Sequence, residues 1–163
     1  MVASDRYKWP AMVLHWLMAV VLLGLIALGH YMESMPKNTP DRAYFFALHK
    51  SMGLVALVLI LLRMAWRATR VAPLPLPNMP IWEIRAAAWS HRLLYVCMFL
   101  QPLTGYLSSS FNKYGIKFFG VRLPSWGWEN AALRELFAGI HGFIGVAFVV
   151  LIAVHGKHAV NPC

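Results

Sequence analysis

The sequence predicts an all-α integral membrane protein, a four-helix bundle whose helices run up, down, up and down. Three observations lead there. Of the 163 residues, 60% are hydrophobic and 13% are charged, about half the charged share of a soluble domain. Apolar stretches of about 20 residues, the length a helix needs to cross the hydrocarbon layer, recur four times. Polar or proline-rich connectors separate them, and the length suits one membrane domain spanning residues 1–163.

The first span is predicted from about Ala11 to Met32. Pro10 fits the first turn of a helix, and the stretch is too long for a signal-peptide core, so it is expected to be retained. Residues 33–42 (ESMPKNTPDR) form a short polar loop. The second span is predicted from Ala43 to Trp66. Arg63, Arg67 and Arg70 lie along one face at its exit. Residues 71–80 (VAPLPLPNMP) contain four prolines and read as an extended connector. Ile81 to Arg85 read as an interfacial lead-in to the third span, predicted from Ala86 to Ser108 with Pro102 inside it. Residues 109–130 form the longest connection. Its Phe118, Phe119, Trp126 and Trp128 are expected at the membrane surface. The fourth span is predicted from Ala131 to Lys157.

The net charge is +9. The basic residues stand at segment ends and in loops, where lipid headgroups and ligand carboxylates are the natural counterparts. No basic cluster interleaved with aromatics occurs in a soluble region, which argues against nucleic acid. The arginines after the second span favour a cytoplasmic second connector, and with it cytoplasmic N- and C-termini. Cys97 and Cys163 are the two cysteines. No C-x-x-C-H occurs, so no covalently attached c-type haem is expected.

Seven histidines occur, most of them at membrane depth, where an ionisable residue is a functional hypothesis. His141 and His155 are 14 residues apart in the fourth span. That is about 21 Å of rise and close to four turns, so both rings lie on nearly one face, at different depths. With alternating spans, His15 matches the depth of His155, and His49 matches that of His141. Each pair joins two helices. Bis-histidine ligation of haem iron suits such pairs and gives an electron-transfer centre. Zinc would want four ligands, or acidic or thiolate company that these depths lack.

Gly53 and Gly145 each follow a histidine by four residues. They leave room either for a flat macrocycle or for close helix packing. Arg63 and Arg67 are suited to haem propionates or to lipid phosphate. His91 has four readings: a propionate hydrogen bond, a quinone contact, an alternative ligand, or a plain interfacial residue. His158 reads as quinone-facing or solvated, and His30 as interfacial. No catalytic residue is assigned.

Several stretches carry a resemblance in order along nearly the whole chain: AMVLHW at 11–16, LHKSMG at 48–53, LLRMAWR at 61–67, SHRLLY at 90–95, QPLTGYL at 101–107, and the two histidines of the last span. Together they resemble the bacterial cytochrome b561 family, which is similar to the cytochrome b subunits of nickel–iron hydrogenases and formate dehydrogenases. The resemblance implies two b haems ligated by His15, His49, His141 and His155, electron exchange with membrane quinone, and residence in the bacterial inner membrane. For some members it implies superoxide as donor at a positive outer face, which Lys113, Lys117, Arg122 and Arg134 would form here. Two functions are therefore expected: an electron wire to quinone, with superoxide oxidation as its enzymatic version, and a cytochrome b anchor relaying electrons between quinone and a larger redox partner.

Overall fold

A computed structural model describes residues 9–69, 80–124 and 126–160, with the side chains of 157–160 excepted. The proline-rich connector at 71–79, Arg70 and the side chain of His158 lie outside the described residues. Four long helices dominate: α1 (Trp9–Ser34), α2 (Pro40–Ala68), α3 (Ile81–Ser110) and α4 (Ala131–Val160). A two-stranded antiparallel hairpin, β1 (Ile116–Phe118) and β2 (Val121–Leu123), sits between α3 and α4.

Local chemistry sets the helix ends. Asn38 takes a left-handed φ of 64° in the turn after α1, a conformation asparagine tolerates better than most residues. Thr39 caps α2, its hydroxyl accepting from the Arg42 amide at 3.4 Å, with Pro40 at the first helical position. The Arg42 side chain donates back to the Met32 carbonyl at 3.1 Å, satisfying one end group of α1 and closing the turn between two antiparallel helices. At the start of α4, the Asn130 side chain accepts from the Leu133 amide at 3.0 Å. The third helix begins at Ile81, so the expected lead-in is its first turn, and it runs through Pro102 without a break.

The fold is a membrane four-helix bundle. Helices α1, α2 and α4 are each long and apolar enough to cross a membrane, and α3, of similar length, packs along α4. Neighbours in sequence are neighbours in space: α1 on α2, α2 on α3, α3 on α4. Large apolar side chains point outward all along the bundle, including Val20, Leu62, Phe143 and Val150. Such a surface is stable in lipid rather than water. The buried core is small, with Ile60, Ala56, Met18 and Phe148 at its centre.

The long loop is folded, which the sequence reading did not anticipate. Phe119 and Gly120 both have positive φ, 45° and 93°, as a two-residue hairpin turn requires. Ile116 is buried. Ser51 of α2 pins the hairpin: its hydroxyl accepts from the Phe119 amide at 2.9 Å and shares its proton between the Ala47 carbonyl at 2.9 Å and the Lys117 carbonyl at 3.3 Å. Phe111 stacks on Phe137 and meets Trp128 edge-on, fastening the loop to the head of α4. Phe119, Trp126 and Trp128 remain exposed.

Candidate functional site

Two cavities lie inside the bundle, and histidines line both. The first has a volume of about 300 Å³ and lies under the hairpin, reached by His49 of α2 and His141 of α4. The second, of about 160 Å³, lies towards the other end of the bundle and is lined by His15 of α1, His91 of α3, His155 of α4 and Arg63 of α2. Thus α4 supplies one histidine to each cavity, and its 14-residue spacing separates them.

In the first cavity the His49 and His141 rings face one another edge-on, their centroids 6.2 Å apart at 80°. A metal–imidazole bond of about 2.0–2.1 Å, plus roughly 1 Å from nitrogen to ring centre, places two opposed rings about 6 Å apart. The observed separation therefore suits one metal ion between them. The segment Gln101–Gly105 of α3 cradles the His141 ring. His141 Nδ1 lies 2.8 Å from the Gln101 carbonyl, so that nitrogen carries the proton and donates it. Nε2 is left with its lone pair, the form a metal ligand needs. The buried Thr104 hydroxyl shares its single proton between the Leu100 carbonyl at 2.8 Å and the Gln101 carbonyl at 3.0 Å. His141 Nε2 accepts from the Gln101 amide nitrogen at 3.3 Å, a contact that a metal at Nε2 would replace. Gly105 leaves the ring its place: a Cβ there would meet His141 Cε1 and Nδ1 at 3.1 Å. On the opposite side, Gly29 of α1 approaches His49, where a Cβ would stand 3.6 Å from Cε1.

The two glycines singled out in the sequence differ. Gly53 lines the first cavity, and a Cβ there would enter open space. Gly145 faces α3 instead, where a Cβ would meet the Gln101 amide nitrogen at 3.1 Å, so it serves close helix packing. Gln101, Gly105, Gly29 and Lys50 carry no signal of their own in the sequence, and Thr104 reads there only as a group that could satisfy the carbonyl freed by Pro102. The QPLTG run at 101–105 was the signal, but its polar atoms acquire meaning through an α4 side chain 40 residues away.

In the second cavity His91 and His155 meet edge-on with centroids 5.1 Å apart, too close for a metal held between opposed rings. His91 Nδ1 bonds the Ala87 carbonyl of its own helix at 2.8 Å. Arg63 lines this cavity and donates to the Ala11 carbonyl at 3.2 Å, tying the end of α2 to the start of α1. Arg67 is exposed one turn further on. His30 bonds the Ile26 carbonyl and faces outward.

The donor set of the first cavity fits haem. Among the described residues no group of three or more His, Cys, Asp or Glu side chains is arranged to hold a bare metal ion. Paired imidazoles in a mostly apolar cavity would supply two ligands to a haem iron and leave its remaining positions to the macrocycle. His49 Nδ1 is buried without a hydrogen-bond partner, an orphaned polar atom of the kind that marks a site whose occupant settles ring orientation.

Known proteins resemble the chain along almost its whole length. The model of the prokaryotic cytochrome b561 family matches residues 6–160. Cytochrome b561 homolog 2 of Escherichia coli (strain K12) is 30% identical over 160 residues, covering 96% of this chain and 84% of that protein. Cytochrome b561 homolog 1 of the same organism is 23% identical over 155 residues, covering 95% and 88%. A match along almost the whole chain, on a helical membrane bundle with histidine-lined cavities, identifies the chain as a member of the prokaryotic cytochrome b561 family, a membrane cytochrome b that binds haem and transfers electrons.

Proposed function

We propose that the chain binds two b haems, one per cavity, and carries electrons across the bacterial inner membrane to a quinone. The observation that carries this reading is the pair of histidine-lined cavities stacked along α4. His49 and His141 hold the haem under the hairpin, and His15 and His155 hold the other. Bound haem supplies one-electron chemistry at each level. The chain's own part is to bind and to insulate. The Gln101 carbonyl holds a proton on His141 Nδ1 so that Nε2 stays available. Apolar neighbours such as Leu54, Met98 and Phe148 keep water from the cavities. No residue need break a bond.

The hairpin end is the outer face in this reading, and both termini are cytoplasmic. Lys113, Lys117, Arg122 and Arg134 make the outer face basic, which would draw an anionic donor such as superoxide. His91 and Arg63, at the inner cavity, are placed to serve a propionate or the protons that a reduced quinone takes up. His158 follows one turn after His155 in the sequence and is a further candidate on the quinone side.

A pyridine haemochrome assay on purified protein tests the proposal, with about two b haems per chain expected and no haem from a haem-sufficient host refuting it. Reduction of the isolated chain by superoxide, with transfer to added quinone, supports a self-sufficient oxidase. A chain that transfers electrons when joined to a larger redox complex and not otherwise is an anchor subunit.

A further inference from the structure

Lys50 has no part in holding the proposed axial ligands, yet it stands beside them. It follows His49 on α2, lines the first cavity with His49 and His141, and is half-buried. Among the described residues, the salt bridge present joins Arg134 to its neighbour Glu135 at 3.1 Å, and Lys50 pairs with no carboxylate. Glu33 lines the same cavity without closing an ion pair to it. An ammonium held in a mostly apolar cavity is costly unless an anion accompanies it. Arg134 lines the same cavity from the first turn of α4, so two cations approach it from different helices. Asn112 and Ser109 add polar groups at this end, while Phe46, Leu54 and Ile116 make much of the wall apolar. That lining fits a flat apolar body with an anionic edge.

We propose that Lys50, with Arg134 lining the same cavity, binds the carboxylate edge of the group held between His49 and His141. This rests on the haem reading above, in which the carboxylate is a propionate. The ammonium neutralises a charge that the apolar wall would otherwise exclude, and it fixes which edge of the macrocycle points to the hairpin.

The test uses the full chain purified in detergent and compares wild type with Lys50→Gln and Lys50→Arg. Each is reconstituted with haem and with haem dimethyl ester, whose propionates carry no charge. Lys50→Gln is expected to weaken haem retention at the His49–His141 site about tenfold, as loss of a charge-assisted hydrogen bond would. Lys50→Arg should recover most of it, and all three proteins should hold the ester alike. The midpoint potential of that haem should fall in Lys50→Gln, because a nearby positive charge favours the reduced state. Equal retention of haem by wild type and Lys50→Gln overturns the proposal, as does an equal loss of haem and ester. A difference between variants that arises only when anionic lipid is added assigns Lys50 to a headgroup phosphate and also overturns it. Haem content unchanged by His49→Ala, in an otherwise wild-type chain, would instead refute the haem reading itself.

Discussion

Gly105 is the position where one methyl group best tests the geometry of the first cavity. Its added Cβ would stand 3.1 Å from two atoms of the His141 ring, so the ring must yield by a few tenths of an ångström. Overpacking of this kind costs about 1–3 kcal/mol. The same substitution removes a glycine from the interior of α3, which returns about 1 kcal/mol of helix propensity. The two effects nearly offset in Gly105→Ala, so its thermal midpoint should move little while haem occupancy falls partly. In Gly105→Leu the overpacking prevails, and one haem of the two should be lost. Gly139→Leu is the control, since a Cβ at that α4 glycine meets nothing within 4 Å. The assay is haem per chain from the haemochrome spectrum, read beside thermal unfolding followed by circular dichroism. Retention of both haems with an unaltered spectrum in Gly105→Leu would refute the claim that α3 seats the His141 ring. Haem loss of equal size in Gly139→Leu would reduce the effect to general destabilisation.

Three further outcomes are expected. His49→Ala and His141→Ala should lose the same haem, and His15→Ala and His155→Ala the other, while His91→Ala keeps both; redox titration of each variant assigns the losses, and His49→Ala and His141→Ala affecting different haems would break the pairing. Thr104→Val removes the second donor on the Gln101 carbonyl, which strengthens the bond from His141 and makes that imidazole the more basic ligand. The midpoint potential of one haem should then fall by on the order of tens of millivolts, and an unchanged potential counts against the network. Ser51→Ala removes the acceptor of the Phe119 amide and should loosen the hairpin by about 1–3 kcal/mol; faster amide exchange at 116–123 with haem content preserved is the expected readout, and unchanged exchange argues that Ile116 burial holds the hairpin by itself.

How far the site was legible can be judged from particular residues. His49 and His141 could be paired by depth from their positions in alternating spans, and the structure brings their rings within 6.2 Å. Gly53 could be associated with His49 because four residues is about one helical turn. The same rule put Gly145 beside His141, yet it faces Gln101 of α3, because rotation of a helix about its axis depends on its neighbours. Gly105 shows the converse. It has no histidine within a turn of it in sequence, and its contact with His141 arises through the packing of α3 on α4. The hairpin was illegible because its strands are three residues each, too short for an alternating pattern, and because its anchor, Ser51, lies 68 residues from Phe119.

The sequence by itself determined the class of the protein: a helical membrane bundle, the order of its segments, and the family to which the chain belongs. Those properties follow from quantities that accumulate along one chain, namely apolar length, helical rise and motif spacing. The tertiary structure decided what each histidine meets. It set His141 against the Gln101 carbonyl, gathered His15, His91 and His155 into one cavity, and brought Lys50 and Arg134 to the lining of the other. Those contacts depend on how helices rotate and pack against one another, and interhelical packing is fixed by side chains from several segments at once.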